Sequence, residues 1–244
     1  MDRRNKLIDC FHNSPRFSQK WSSYFEAYTK LLDDLREKPI TLVEIGVNEG
    51  GSLPMWREYL HPDSRIIGID LNPIAKKLEK DGFEIFVGDQ GDPKFWQEIQ
   101  RELSGVDVLI DDGGHTIEHQ LITFKHCMSL MSDNSVVIIE DTHTSYMEEF
   151  GCPSPISFVQ FTKQLIDGIN FRCGRLEREQ FETEVWSVEI FESLIAFHIK
   201  RDSSIKKSQV VNNDGKKMGA VDFRYANNGH VSPTDISKFF KFNQ

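Results

Sequence analysis

Short apolar runs, each ending in glycine or an acidic residue, punctuate the first two thirds of the chain. They are TLVEIGV (41–47), RIIGIDL (65–71), EIFVGD (84–89), VDVLIDD (106–112) and SVVIIED (135–141). Valine and isoleucine dominate, and both alternating positions are apolar. A strand with one wet face would alternate, so this pattern predicts central parallel strands covered on both faces. The segments between them carry helical punctuation. Ser52, two residues before Pro54, marks a helix running to about Leu60, and Asp92 precedes Pro93 and the periodic KFWQEIQREL. His115 opens a longer segment to about Met131, with Ile117, Leu121, Phe124, Met128 and Leu130 near helical spacing. Alternation of this kind predicts βαβ units and a doubly wound, Rossmann-like α/β fold.

Residues 20–36 (KWSSYFEAYTKLLDDLR) read as an amphipathic helix before the first strand, and ISFVQFTKQLIDGINF (156–171) as a helix after the fifth. SVEIFESLIAFHIK (187–200) reads as two strands with a turn near Glu192–Ser193. The expectation is therefore a mostly parallel seven-stranded sheet ending in an antiparallel hairpin. Beyond Lys200 the chain turns polar and loses its period. We expect one domain over 1–200 and a loosely ordered tail over 201–244, with local order around Val221–Tyr225 or the terminal ISKFFKF.

Composition narrows the class. The 244 residues, with 27% charged and 11% aromatic side chains, suit a globular chain long enough to bury a core. A net charge of −9 argues against a nucleic-acid binder, which needs a basic face. The N-terminal MDRRNKLIDCFHN has no apolar run of the signal-peptide kind, and no stretch approaches a membrane span. The four cysteines (Cys10, Cys127, Cys152, Cys173) show no CxxC, as expected of free thiols in a reducing cytoplasm.

The first chemical signal is Glu44-Ile45-Gly46-Val47-Asn48-Glu49-Gly50-Gly51, between the first strand and the helix at Ser52. Glycines there let the backbone turn tightly and approach a ligand. Asp70 ends the second strand, where a carboxylate accepts hydrogen bonds from ribose hydroxyls. The spacing ExGxxxG is not the dinucleotide pattern GxGxxG, and acidic Glu44 and Glu49 would repel a pyrophosphate. A ligand with a cationic amino-acid end suits them, which favours S-adenosylmethionine over NAD. Gly88-Asp89-Gln90, closing the third strand, falls where an adenine would lie. The cofactor contacts expected are Glu44, Gly46, Asn48, Gly50, Ser52, Asp70, Asp89, Gln90 and Asp111.

The second signal is Asp111-Asp112-Gly113-Gly114-His115 after strand four and Glu140-Asp141-Thr142-His143 after strand five. If these strands pair, Asp112, Glu140 and Asp141 converge at the carboxyl edge, where open α/β sheets bind ligands. Carboxylates packed together repel unless a cation compensates. Mg²⁺, with water and substrate oxygens completing its shell, is the economical answer. A rim plugged instead by lysine or arginine, with no room for the donor, would overturn this reading. His115 reaches the same pocket and is the candidate base for activating a hydroxyl towards a methyl sulfonium. His143 is a second base or substrate contact, set against a structural role. His119 reads as a helix-face residue, and Trp21, Tyr24 and Tyr28 as core or oligomer contacts.

In this order and spacing, VEIGVNEGGSLPMWREYL, IIGIDLNP, VGDQGD, LIDDGGH and VIIEDTHTSY resemble class I S-adenosylmethionine-dependent methyltransferases. They are most similar to the metal-dependent macrolide sugar O-methyltransferases of the mycinamicin and demethylmacrocin type. The resemblance spans about 20–200. It implies Mg²⁺ on Asp112, Glu140 and Asp141, His115 as general base, and a sugar or glycosylated small molecule as acceptor. Where that family often carries an Asp-Lys pair, this chain has Gln19-Lys20. A cytoplasmic homo-oligomer that binds neither nucleic acid nor membrane completes the expectation. Two readings stay open beside it: a catechol-like phenol as acceptor, and a degenerate cofactor-binding interaction module.

Overall fold

The computed structural model describes residues 3–151, 156–170, 184–206, 208–216 and 218–219. Cys152, Cys173 and the two tail segments singled out above lie outside the described residues. Strands β1 (Thr41–Ile45), β2 (Arg65–Asp70), β3 (Glu84–Val87), β4 (Val106–Asp111), β5 (Met131–Ile139), β6 (Val185–Phe191) and β7 (Leu194–Ile199) form one sheet. Its order is β3-β2-β1-β4-β5-β7-β6. Strands β1 to β5 run parallel, while β7 is antiparallel to both β5 and β6, as expected of a closing hairpin. The hairpin turns at Ser193, whose φ of 62° lies in the left-handed region.

The unbroken apolar runs now have their cause. Leu42, Ile66, Val108 and Val136 face one layer with Leu7 of α1 (Arg3–Asn13), Tyr28 of α2 (Tyr24–Leu32) and Trp56 of α3 (Ser52–Tyr59). Their chain neighbours Val43, Ile67, Leu109 and Val137 face the other, with Trp96 of α4 (Pro93–Ile99), Phe124 of α5 (Ile117–Cys127) and Phe158 of α6 (Phe158–Ile169). Each of these side chains is almost wholly buried, and burying one stabilises the fold by about 1.5–3 kcal/mol.

Three local expectations shift. The amphipathic helix begins at Tyr24, not Lys20. An additional helix, α1, precedes it, and Pro15 stands where α1 has stopped. The segment between them is held by tertiary contacts, among them Ser14 Oγ donating to the Gly51 carbonyl (2.7 Å). Ser52 is the first residue of α3 and not its cap, whereas Asp92 caps α4 as expected by accepting the Lys94 amide (2.9 Å). Thr116 caps α5 through the His119 amide (3.2 Å), which leaves His115 outside the helix.

The chain divides into two compact units, 1–207 and 208–244. Residues just past 200 stay with the sheet because Arg201, at the start of α7 (Arg201–Ser204), donates to the Met128 and Met131 carbonyls (2.8 and 3.1 Å) and to Glu184 (2.9 Å). Among the described residues, no helix is long and apolar enough to cross a membrane.

Candidate active site at the carboxyl edge of the sheet

Pairing of β1 with both β2 and β4, and of β4 with β5, brings the strand ends to one rim. Gly46 N–H donates to the Ile69 carbonyl (2.8 Å), Asp112 N–H to Ile45 (3.0 Å) and Glu140 N–H to Asp111 (2.9 Å). These bonds extend the ladders by one residue past each strand and put the Gly46, Asp112 and Glu140 turns side by side. Three non-glycine residues here have positive φ: Asn48 (47°), His115 (54°) and Asp141 (52°). Such conformations are costly and collect where a site demands a particular side-chain direction.

A cavity of about 840 Å³ opens beside β1 and β2, with Gly46, Asn48, Ser52, Asp70, Asp89 and Gln90 of the expected cofactor contacts in its wall. Asp70 accepts the Asn48 amide (2.9 Å) on one oxygen and the Asn72 amide (2.8 Å) on the other. A carboxylate has about four acceptor sites, so two remain for ribose hydroxyls. Gln90 borders the cavity but spends its side chain internally: its Nε2 donates to Asp111 and Thr123 (2.9 Å each), and its Oε1 accepts the Gly114 amide (2.7 Å). It therefore props the Gly113-Gly114 turn. His119, expected on a helix face, also borders this cavity, and its ring leaves no room for a Cβ at Gly114 (2.0 Å to Nδ1).

Glu44, Gly50 and Asp111 do not line the cavity. Glu44 is fully buried and takes hydrogen bonds from Trp56 Nε1 (3.1 Å), Lys20 (3.3 Å) and Ser52. Gly50 serves the turn, where a Cβ would strike Leu78. Asp111 accepts the Gly113 amide (3.1 Å) as well as Gln90, and burial pushes its carboxyl up.

A second cavity, of about 330 Å³, shares Gln19 and Asp112 with the first and is lined further by Lys20, Trp21, Tyr24, Glu140 and Asp141. At the seam, His115 Nε2 lies 3.4 Å from Asp141 Oδ2 and 3.8 Å from Asp112 Oδ1. These three donor atoms sit within 4.8 Å of one another, close enough to hold a metal ion. His115 Nδ1 is buried without a hydrogen-bond partner. Asp141 is oriented from its other side. Tyr24 Oη lies 2.7 Å from its Oδ1 and accepts its amide (2.9 Å), and Trp21 Nε1 donates to the same oxygen (3.0 Å). His143 lines neither cavity. It hydrogen-bonds the Ser193 hydroxyl and meets Trp21 edge to face at 5.9 Å.

Glu140 lines the second cavity with Asp112 and Asp141, but its oxygens are paired within the protein. Lys20 Nζ donates to both its oxygens (2.9 and 3.1 Å), and Tyr28 Oη donates to Oε1. The same ammonium lies 2.7 Å from Asp112 Oδ2 and 3.3 Å from Glu44. The Lys20 side chain is 1% exposed. Burial opposes its charge, but Glu140, Tyr28, Asp112 and Glu44 outweigh that and hold its pKa well above the ordinary lysine value. Burial pushes the Glu140 carboxyl up against the pull of Lys20. A protein cation thus supplies part of the neutralisation that the sequence assigned wholly to a metal. The larger cavity remains open, so the overturning arrangement is only half met.

Lys20 falls where the resembled family often carries the lysine of an Asp-Lys pair, but the sequence did not say that it would meet three acids. Tyr24 and Tyr28 sit one turn apart on α2, a spacing that puts both hydroxyls on one face but does not say that acids await them. Trp56 and His119 read equally well as ordinary core and surface residues.

Comparison with known proteins bears on this rim. Residues 43–142 match a family model described as a methyltransferase domain. L-olivosyl-oleandolide 3-O-methyltransferase of Streptomyces antibioticus is 25% identical over 81% of this chain and 53% of its own length. Mycinamicin VI 2''-O-methyltransferase of Micromonospora griseorubida is 30% identical over 59% of this chain and 40% of its own. A solved structure of the MycE methyltransferase of the mycinamycin pathway, in complex with Mg, SAH and mycinamycin VI, superposes with a TM-score of 0.72. It is 23% identical over 83% of this chain and 54% of that one. The chain spans about half the length of these relatives or less.

Proposed function

We propose that this chain, whose residues 43–142 match a methyltransferase-domain model, transfers a methyl group from S-adenosylmethionine to a hydroxyl of a sugar or glycosylated small molecule with the help of Mg²⁺. One observation carries the reading. The imidazole–carboxylate group of Asp112, His115 and Asp141 stands at the seam between a cavity edged by Asp70 and Asp89 and a second one walled by Trp21 and Tyr24. The larger cavity falls within the ~300–1,000 Å³ of small-molecule sites. The smaller one joins aromatic faces to carboxylates, a pairing that suits the apolar ring face and the hydroxyls of a sugar.

Asp70 receives the ribose and Asp89 the adenine end. Asp112 and Asp141 hold the ion. Mg²⁺ prefers oxygen ligands, which leaves the His115 imidazole free for the proton. When bound, the sulfonium donor supplies an electrophilic methyl and becomes a neutral thioether, while the ion polarises the acceptor oxygen. The protein's own contribution is positional. Tyr24 and Trp21 fix Asp141, the left-handed backbone at His115 turns its ring into the seam, and His115 Nε2 takes the acceptor's proton as the oxygen attacks. His143 acts through Trp21, whose edge it meets.

The test is methyl transfer from radiolabelled S-adenosylmethionine to a panel of glycosides and catechols, with Mg²⁺ and with EDTA, beside calorimetric titration of S-adenosylhomocysteine. Mg²⁺-dependent labelling of glycosides is expected. Labelling confined to catechols would overturn the acceptor class. Absence of S-adenosylhomocysteine binding would overturn the reading as a whole.

A further inference from the structure

The smaller cavity is lined by polar and charged side chains except for two aromatic ones, Trp21 and Tyr24. The two rings are not equivalent. Tyr24 is 1% exposed, and its hydroxyl is committed to Asp141 and to the Ser193 carbonyl (3.0 Å). Trp21 is 58% exposed, so its indole is the apolar surface that a molecule entering this cavity meets. Single apolar side chains on an open surface are ordinary, but a large ring left bare among carboxylates in a cavity is the mixture of a ligand site.

The ring is also held in place. Its Nε1 donates to Asp141 Oδ1 (3.0 Å), and the His143 ring meets it edge to face at 5.9 Å with an interplanar angle of 90°. His143 is in turn tied to the hydroxyl of Ser193, at the turn of the β6–β7 hairpin. An indole anchored through its nitrogen and against a second ring loses little conformational freedom when a ligand docks on it. The anchor also sets where that ligand lies. Asp141 takes the indole N–H on Oδ1, while its Oδ2 is 3.4 Å from His115 Nε2. The ring and the proton acceptor thus flank one carboxylate. We propose that Trp21 is a specificity-determining residue for the acceptor: the apolar C–H face of a pyranose ring stacks on its indole, which directs a hydroxyl of the same ring to His115 and the Asp112–Asp141 pair. The inference deepens the acceptor reading above and rests on it. Selection then depends on the presence of a ring face beside the hydroxyls, because hydroxyls without such a face leave the indole uncovered.

Trp56 and Trp96 are fully buried and Trp186, on β6, lines neither cavity, so a change of emission on adding an acceptor reports Trp21. The experiment titrates the full chain, loaded with Mg²⁺ and S-adenosylhomocysteine, with methyl pyranosides and with the open-chain alditol glucitol, and measures methyl transfer to the same compounds. The pyranosides, and not glucitol, should shift the emission of the wild type. Trp21→Ala should raise the pyranoside KM by about tenfold or more. Trp21→Phe, which keeps a ring and loses the N–H, should hold KM within about threefold of wild type while the emission change disappears. A residue that served only to orient Asp141 would instead make Trp21→Phe and Trp21→Ala alike, weakening Mn²⁺ binding in electron paramagnetic resonance titrations with KM unmoved. That outcome would overturn the proposal, as would glucitol binding as tightly as the pyranosides, or a Trp21→Ala KM within about threefold of wild type. Wild-type protein that responds to no methyl pyranoside, by emission or by labelling, would also overturn it; if catechols are labelled instead, the acceptor reading falls with it.

Discussion

Substituting Gly46 by alanine would test whether the rim depends on how closely two backbones pass. A Cβ at Gly46 would lie 2.1 Å from the Asp112 carbonyl oxygen, 2.7 Å from its carbon and 2.8 Å from Gly113 Cα. All three are main-chain atoms of the turn that carries Asp112, so no side-chain rotation relieves the contact. The φ of +83° adds a second penalty. Left-handed backbone costs an alanine about 1–2 kcal/mol. Overpacking that forces backbone to move costs about 1–3 kcal/mol more. The sum, about 2–5 kcal/mol, corresponds to a Tm lower by about 4–20 °C for a chain of this size. Gly82 supplies the control. Its φ is +88°, yet nothing lies within 4 Å of its Cβ position, so Gly82→Ala meets the dihedral penalty alone and should lower Tm by about 2–8 °C. Thermal melts followed by circular dichroism give both values, and Mn²⁺ titration of Gly46→Ala reports whether Asp112 has been displaced. A Gly46→Ala protein no less stable than Gly82→Ala, with unchanged Mn²⁺ affinity, would refute the close approach of β1 and β4 at the rim.

Three further outcomes are expected. His115→Ala should lower turnover by about 10²–10⁴ while S-adenosylhomocysteine affinity, read by calorimetry, stays within about threefold; equal losses in both would remove His115 from the base role. In native protein at pH 8, Cys10, pushed up to about 11 mainly by burial, and Cys127, also pushed up by burial, should resist a thiol reagent until the chain unfolds. Mass spectrometry locates the label, and rapid native labelling of Cys10 would contradict its burial. His198 is held below its ordinary value of 6.5 by burial, then by Lys200 and Lys30; Glu189, 3.0 Å away, does not reverse this because it also pairs with Lys30. Below 6.5 the unfolded chain binds this proton more readily than the folded one. The contribution is therefore full above 6.5 and is lost as pH falls through the lower folded value. Urea unfolding across this range should show a steeper loss in wild type than in His198→Asn, and equal slopes would refute the shift.

Linear patterning determined the layered architecture of this chain. Runs that are apolar at both alternating positions can be satisfied only by strands with helices on both faces, so the five parallel strands were legible before any contact was known. The hairpin of β6 and β7 was legible as well, since two strand-length segments separated by Glu192 and Ser193 have no other local solution. Strand-end chemistry followed from topology: residues such as Asp70, Asp112 and Asp141 must gather where parallel strands end.

Which oxygens face a ligand and which face the protein was decided only in three dimensions. Glu44, Asp112 and Glu140 all read as acids at strand ends, yet Lys20, from a segment distant in sequence, crosses to all three, and Tyr28 adds a hydrogen bond to Glu140, while Asp141 is held by Tyr24 and Trp21. Gln90 borders the cavity as expected of a cofactor contact, but its amide spans Asp111, Thr123 and Gly114 and so also builds the turn. The reason is general. Hydrophobic periodicity is a local property that repeats along the chain and can be read from it. Partnering of a buried charge depends on which side chain crosses which strand end, and that is settled only when distant segments pack.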